Sequence, residues 1–425
     1  MSNHELATLF FLQLAIILVV VRLVGYAARY VGQPQVVGEL IGGVLIGPSL
    51  FGALLPQLHA AIFPAQSVSV IYAVSQVGLA LYMFLVGMKF DLGILSHKAR
   101  TAIFVSAAGI AVPFGLGAVL GSHMLNEGGL FTDSATRMQA CLFLGAAISV
   151  TAFPMLARMI CEWRLTGTPL GTLVLAAAST NDAAAWCILA IVLASFTSDA
   201  GIAVLAVAGG LLYVFVLFVL LKPALGRLAS AVEKSGMTGS LLGVVLILLA
   251  LGAWFTDRVG IYSVFGSFFL GLAMPRGAVT RELDEKLEPL TANLLVPLFF
   301  VYAGLNADVR LLWVTPGMMW LTLVVTLVAC LGKGGACWLA ARLGGEDQRT
   351  SITVGALMNA RGLMELILLN IGLQYGLITP TLYTILVIMT VVTTLMAAPL
   401  FHLVYGRTRG TVDARRGTTG RAEVS

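Results

Sequence analysis

The stretch "AASTNDAAAWC" (Ala177 to Cys187) contains Asp182, the only formal charge between Arg164 and Asp199. A carboxylate in apolar surroundings is neutralised either by a proton or by a small monovalent cation. A site that must hold one or the other exchanges them, provided its empty, charged form crosses poorly. Asn181 adds an amide oxygen, and Ser179 and Thr180 add hydroxyls. Hard cations prefer such oxygen ligands. The competing reading is a structural ion pair between Asp182 and a lysine or arginine.

Glu39, Lys333, Arg361 and Glu365 also fall well inside apolar stretches. Lys333 ("CLGKGGACW") is a candidate either to pair with a carboxylate or to relay protons. Arg361, which does not deprotonate in practice, is expected to be structural, tied to Glu365 or to backbone carbonyls. Glu39 ("VVGELIGGVLIGP") is expected to pair with a basic residue, with a place along an inward funnel as the alternative. In "ISVTAFPMLARM" (148–159), Pro154 cannot donate a hydrogen bond to the carbonyl of Val150, which frees an oxygen beside the Thr151 hydroxyl. "LMNARGLMEL" (357–366) gathers Asn359, Arg361, Gly362 and Glu365 in a second apolar stretch.

These residues have to be positioned by lipid-embedded helices. The chain is 59% hydrophobic and 11% charged, against about 25% charged in soluble domains. Apolar runs of about 20 residues, each able to cross a bilayer, recur along its length. We predict thirteen spans, at roughly 7–28, 36–56, 67–88, 101–122, 138–160, 169–197, 201–221, 239–256, 260–275, 290–306, 316–341, 351–374 and 379–404. The five cysteines have neither disulfide nor metal spacing and are expected to pack. No phosphate-binding loop, metal cluster or nucleophile triad is visible, which argues against an enzyme or a cofactor.

Lysine and arginine accumulate in alternate connections. If the N-terminus is external, the external segments hold only Arg137, Arg258 and Arg310, and the rest of the loop charge is cytoplasmic. The positive-inside rule then predicts an external N-terminus and a cytoplasmic C-terminus. The net charge of +5 reflects this topology and gives no reason to expect nucleic acid as a partner. The tail at 406–425, rich in Gly, Thr and Arg, is expected to be disordered.

The chain also repeats itself weakly. "MFLVGMKFDLGIL" (83–95) aligns with "FVYAGLNADVRLL" (300–312), placing Gly87 on Gly304 and Asp91 on Asp308. "IGGVLIG" (41–47) aligns with "FGSFFLG" (265–271), and "GAAIS" (145–149) with "GALMN" (355–359). The shift is seven spans, and an odd shift makes partners cross in opposite directions. The predicted architecture is all-α, with inverted six-span repeats over about 7–197 and 239–404 and a linking span at 201–221. Transporters of this type place their site at mid-membrane, where helices are interrupted.

"GQPQVVGELIGGVLIGPSLFG", "STNDAAAWCILA" and "NARGLMELILLNIGL" together resemble the monovalent cation:proton antiporter-2 family, the likeness covering residues 7–404. It is greatest to bacterial Na⁺(K⁺)/H⁺ exchangers and to the membrane domains of plant cation/H⁺ exchangers. The resemblance implies a thirteen-helix fold with crossed, broken helices and a homodimer in the bacterial inner membrane. It also implies a core that moves against a dimerisation domain. It makes Asp182, preceded by Asn181, the carrier of cation and proton, matches Lys333 to the family's basic residue of the eleventh span, and places Thr151 and Arg361 at the crossing. Electrogenic members carry two adjacent acids where this chain has Asn181 and Asp182. That implies 1:1 exchange, whereas Lys333 is typical of the electrogenic type, so both stoichiometries stay open. Glutathione-gated relatives carry a cytoplasmic nucleotide-binding domain, and with none in this sequence that mode of regulation is not expected.

A cation-coupled symporter of an organic solute is the alternative on a similar fold. It should show two cation sites and an aromatic-lined solute cavity. The sequence does not rank Na⁺, K⁺ and Li⁺.

Overall fold

The computed structural model describes residues 1–89, 99–163, 165, 168–196, 200–260, 262–314 and 317–405. Asp91 of the repeat, Lys98 and Arg164 of the charge pattern, and the 406–425 tail lie outside these residues. The described chain is helical. Its main helices are α1 (Asn3–Tyr30), α2 (Gln35–Ile46), α3 (Ala65–Lys89), α4 (Ala99–Met124), α5 (Arg137–Ser149), α6 (Phe153–Glu162), α7 (Pro169–Phe196), α8 (Ala200–Phe215) and α9 (Lys222–Ser235). They continue as α10 (Gly239–Arg258), α11 (Ser263–Ala273), α12 (Ala278–Leu290), α13 (Val296–Leu305), α14 (Met318–Leu343), α15 (Gln348–Leu357), α16 (Leu363–Gln374) and α17 (Pro380–Tyr405). Two π-helical stretches, Val216–Leu221 and Thr291–Leu295, join α8 to α9 and α12 to α13.

Among the described residues, ten helical segments are long and apolar enough to cross a bilayer, and Ser263–Ala273 and Met364–Gln374 are shorter apolar helices. The protein is an integral membrane protein. Backbone polar groups find no water in the hydrocarbon core, so each span must satisfy its own. The helix breaks below therefore have to be explained by what surrounds them.

The helices pack in two sets. In one, α1 packs on α2, α2 on α13, α3 on both α11 and α13, and α10 on α11; in the other, α4 packs on α5, α7 and α14, and α14 on α15 and α17. Under the alignment of the two halves, α1·α2 corresponds to α10·α11, α2·α13 to α3·α11, and α4·α5 to α14·α15. Glycine explains why these crossings are close. A Cβ on Gly47 would lie 2.3 Å from the carbonyl oxygen of Gly304, and one on Gly271 would lie 2.1 Å from that of Phe84. A Cβ on Gly87 would lie 2.2 Å from the carbonyl oxygen of Phe268. The glycines that define the sequence repeat thus stand where backbone meets backbone, as small residues do in membrane helix contacts.

Hydrogen bonds also join the two sets. The Tyr383 hydroxyl of α17 donates to the Ala303 carbonyl of α13 at 3.0 Å, the Asp308 N–H donates to Thr384 Oγ1 at 3.0 Å, and Gln33 Nε2 donates to the Leu395 carbonyl at 3.0 Å.

Candidate ion-binding site at two broken helices

The segments predicted at 138–160 and 351–374 are both interrupted. Between α5 and α6, residues Val150, Thr151 and Ala152 leave the helix, with Val150 extended at φ −65°, ψ 140°. Pro154 is the second residue of α6, where a missing N–H costs nothing because no carbonyl awaits it. Proline therefore helps to restart the helix beyond a break that extends further than one lost hydrogen bond. Between α15 and α16, residues 358–362 are non-helical. The two breaks touch: the N–H of Ala152 donates to the carbonyl of Ala360 at 3.2 Å.

Helix α7 lies against this crossing, in contact with α4, α5, α6 and α15. Asp182 and Asn181 are completely buried near its midpoint. Among the described residues, neither carboxylate oxygen of Asp182 has a hydrogen-bonding partner, nor does either amide atom of Asn181, nor the fully buried Thr151 hydroxyl in the first break. Ser179 is buried on the same helix, whereas Thr180 turns its hydroxyl back to the Ala176 carbonyl at 2.9 Å. Helices α4, α7 and α14 converge at Gly109. A Cβ there would lie 3.8 Å from Asn181 Nδ2 and 2.6 Å from Cys337 Sγ. A narrow crevice lined by Ala146, Val150, Ala185, Ile188, Leu189, Met364 and Leu368 begins one turn past Asp182 and reaches both breaks.

The cationic residues of this region are engaged elsewhere. Lys333, fully buried on α14, donates through Nζ to the Ser149 carbonyl. Arg361, also fully buried, donates through Nη1 to the Ala147 carbonyl at 2.6 Å and to Glu365 Oε1 at 3.2 Å, and through Nη2 to the Ile148 carbonyl at 2.5 Å. Thus the last three carbonyls of α5, left without helical partners by the break, are met by two positive side chains. Such placement also opposes the negative end of the helix dipole. Of the partners considered for Arg361, both Glu365 and the carbonyls are present. Lys333 is bonded to a carbonyl and forms no ion pair with Asp182. Glu39 is buried on α2, in the other set of helices, and accepts from Gln35 Nε2 at 3.1 Å.

Sequence reasoning missed two contributors. Thr394 on α17 holds the second break: its Oγ1 accepts from the Arg361 N–H at 3.0 Å, and its one proton lies within reach of the Thr390 carbonyl of its own helix at 2.7 Å and the Arg361 carbonyl at 3.0 Å. The Ser106 hydroxyl on α4 is buried and unpartnered, one turn from Gly109. The only signal available for either was a hydroxyl in an apolar run, and most such hydroxyls bond their own helix.

A desolvated carboxylate without a partner is too costly to remain bare. The Asp182 oxygens therefore call for a proton or a bound cation, and Asn181, Ser179 and Thr151 each carry a side-chain oxygen in this region. Among the described residues no three His, Cys, Asp or Glu side chains come together as a metal cluster.

The chain is similar to known proteins along nearly its whole length. The family described as sodium/hydrogen exchanger, transmembrane, matches residues 15–404. The Na⁺/H⁺ antiporter NhaS4 of Synechocystis sp. is 36% identical over 397 residues, covering 92% of this chain and 95% of that protein. Cation/H⁺ antiporter 19 of Arabidopsis thaliana is 34% identical over 93% of this chain, which spans 50% of the plant protein. The K⁺/H⁺ antiporter 1 of Saccharomyces cerevisiae is 31% identical over 94% of this chain, which spans 46% of the yeast protein. The solved structure of the sodium proton antiporter MjNhaP1 of Methanocaldococcus jannaschii has the same fold, with a TM-score of 0.62, 16% identity, and coverage of 93% of this chain and 96% of that one. With its broken helices, glycine crossings and family match in agreement, the chain belongs to the sodium/hydrogen exchanger family.

Proposed function

We propose that this protein exchanges a monovalent cation, Na⁺ or K⁺, for protons across a membrane, with Asp182 holding each in turn. The observation that carries this reading is the complete burial of a carboxylate whose two oxygens have no partner among the described residues. Asn181, Thr151 and Ser179 supply oxygen ligands around a bound cation. Lys333 and Arg361 hold the broken end of α5, and Glu365 holds Arg361. A structural ion pair would have consumed the Asp182 carboxylate, and among the described residues it is not consumed.

In this reading the two halves, about 7–197 and 239–404, run in opposite senses through the bilayer, joined by the segment 201–221 and followed by a basic tail at 406–425. The N-terminus is external, the C-terminus is cytoplasmic, and the protein works as a homodimer in a bacterial inner membrane. The relatives named above, a Na⁺/H⁺ and a K⁺/H⁺ antiporter, support the substrate class. None of these relatives is a symporter by name, and they give that alternative no support.

The test is cation-driven dissipation of a pH gradient in proteoliposomes, with Na⁺, K⁺ and Li⁺ added in turn to wild type and to Asp182→Asn. We expect wild type to respond with a clear ion preference, and the variant, folded by circular dichroism and size exclusion, to fall to the level of empty liposomes. Wild-type exchange by folded Asp182→Asn would move the site elsewhere.

A further inference from the structure

Away from Asp182, a cavity of about 570 Å³ opens between α3, α10 and the start of α11, within the size range of small-molecule sites. Its long wall is apolar, with Ala250 and Ala253 leaving room where larger side chains would close it. The polar groups gather at one end: the carboxylate of Asp257, the hydroxyls of Tyr72 and Tyr262, and the amide of Gln76. Tyr262 donates to Gln76 Oε1 at 3.2 Å. Asp257 is exposed on the last turn of α10 and has no hydrogen bond or ion pair to its carboxylate among the described residues. The ring of Trp254 forms part of the wall one turn away.

We propose that this cavity binds an organic ammonium ion with an apolar body. A small hydrated metal ion would need oxygen ligands on several sides, which these walls do not provide. An alkylated ammonium is held by a carboxylate and aromatic rings, and Asp257 lines this cavity together with Trp254, Tyr72 and Tyr262. Backbone strain points to the same place. Tyr262 has φ 82°, the only positive value at a non-glycine position among the described residues, and such strain collects at ligand clamps. Tyr262 stands at the polar end of the cavity, just before α11 begins.

The cavity is also connected to the helices that carry the exchange site. The Tyr72 hydroxyl is 3.5 Å from Gln374 Oε1, at the end of α16, and its ring lies 5.0 Å from that of Tyr302 on α13. A ligand seated against Tyr72 therefore presses on the second half of a broken helix. Any effect of the ligand on cation affinity is matched by an equal effect of cation on ligand affinity.

The experiment is titration of purified full-length protein with benzyltriethylammonium, read by calorimetry and by tryptophan fluorescence with Trp254→Phe as the control for the signal. We expect saturable binding that Asp257→Asn weakens about tenfold or more, Asp257→Glu largely restores, and Tyr72→Phe weakens less. Folded Asp182→Asn should bind within about twofold of wild type, which separates this site from the exchange site. The proposal is overturned if Asp257→Asn binds as wild type does, or if Asp182→Asn abolishes binding. It also fails if a neutral carbon isostere of the probe binds equally well, which would make the cavity a slot for acyl chains.

Discussion

At the first break, the carbonyls of Ala147, Ile148 and Ser149 accept from the guanidinium of Arg361 and the ammonium of Lys333. At the second, the Gly355 carbonyl accepts from the neutral amide of Asn359 at 3.2 Å. Ser149 and Asn359 occupy aligned positions in the two halves, so one sequence pattern has diverged into two electrostatic settings. Both cations at the first break come from the other half of the chain. The first break is consequently held by charge from the other half of the chain, whereas the second carries a neutral amide contact within its own segment. Asp182 stands on α7 beside the charged side without bonding to either cation. In the proposed exchange it would gain and lose a positive ion without first breaking a salt bridge.

The sharpest way to break this asymmetry is Arg361→Leu. It strips two α5 carbonyls of their donors and leaves the Glu365 carboxylate buried without its cation. Removing one partner of a buried pair costs about 3–5 kcal/mol. We expect little folded protein, seen as a large loss in thermal unfolding temperature and in yield. Arg361→Leu combined with Glu365→Leu should recover part of it, because no lone charge remains. A single variant as stable as wild type would mean that the pair does not hold the crossing.

Lys333 tests the same carbonyl end more gently. Lys333→Met removes one charged donor to Ser149, worth about 1.5–3 kcal/mol for a hydrogen bond to a charged group. If the lysine serves only to neutralise the end of α5, Lys333→Arg retains exchange and Lys333→Met loses stability in proportion. If it relays protons, Lys333→Arg folds well and yet exchanges poorly, since guanidinium holds its proton. Measuring unfolding temperature and proteoliposome flux on the same preparations distinguishes the two. The second break gives the smaller counterpart: Asn359→Ala should cost about 0.5–1.5 kcal/mol, and a loss as large as that of Lys333→Met would abolish the claimed difference between the breaks.

Much of this site was legible because charge is rare in the chain. Asp182 was conspicuous as the one charge in its stretch, and Pro154 and the "NARGLME" cluster marked the breaks. The repeat could be seen through Gly47, Gly87, Gly271 and Gly304, because a close helix crossing tolerates no other residue and so leaves a trace. What stayed hidden was the choice of partner. Lys333 had a carboxylate as its obvious acceptor, but it bonds to a backbone carbonyl, and a carbonyl freed by a helix break has no residue type to announce it. Thr394 and Ser106 were hidden for a related reason, since hydroxyls in apolar helices are common and their partners are set by packing. The cavity beside Asp257 draws on three separated segments and one strained tyrosine, none of which stands out in sequence.

The comparison extends, with its smallest expected effect, to the outer ends of the two interrupted segments. Helix α5 starts on Thr136, whose hydroxyl accepts from the Gln139 N–H while Gln139 Oε1 accepts from the Thr136 N–H. Helix α15 starts on Asp347, whose carboxylate accepts from the N–H groups of Arg349 at 3.0 Å and Thr350 at 3.2 Å. Hydrogen bonds from Thr350, side chain first and then backbone, hold the Asp347 carboxyl below the usual carboxylate range. A carboxyl lowered by folding contributes its stability above its unfolded pKa of about 3.9, and loses it as pH falls through the lower folded value. Because Asp347 is solvent-exposed, screening keeps the contribution small, and Asp347→Ala should cost about 0.5 kcal/mol, the low end for a lost cap. That cost should be present at pH 7 and fade below about pH 4, whereas the cost of Thr136→Ala should not change with pH, because a hydroxyl does not titrate there. Unfolding temperatures of the two variants between pH 3 and 7 check this, and parallel curves would show that the charge of Asp347 adds nothing to its role as a cap.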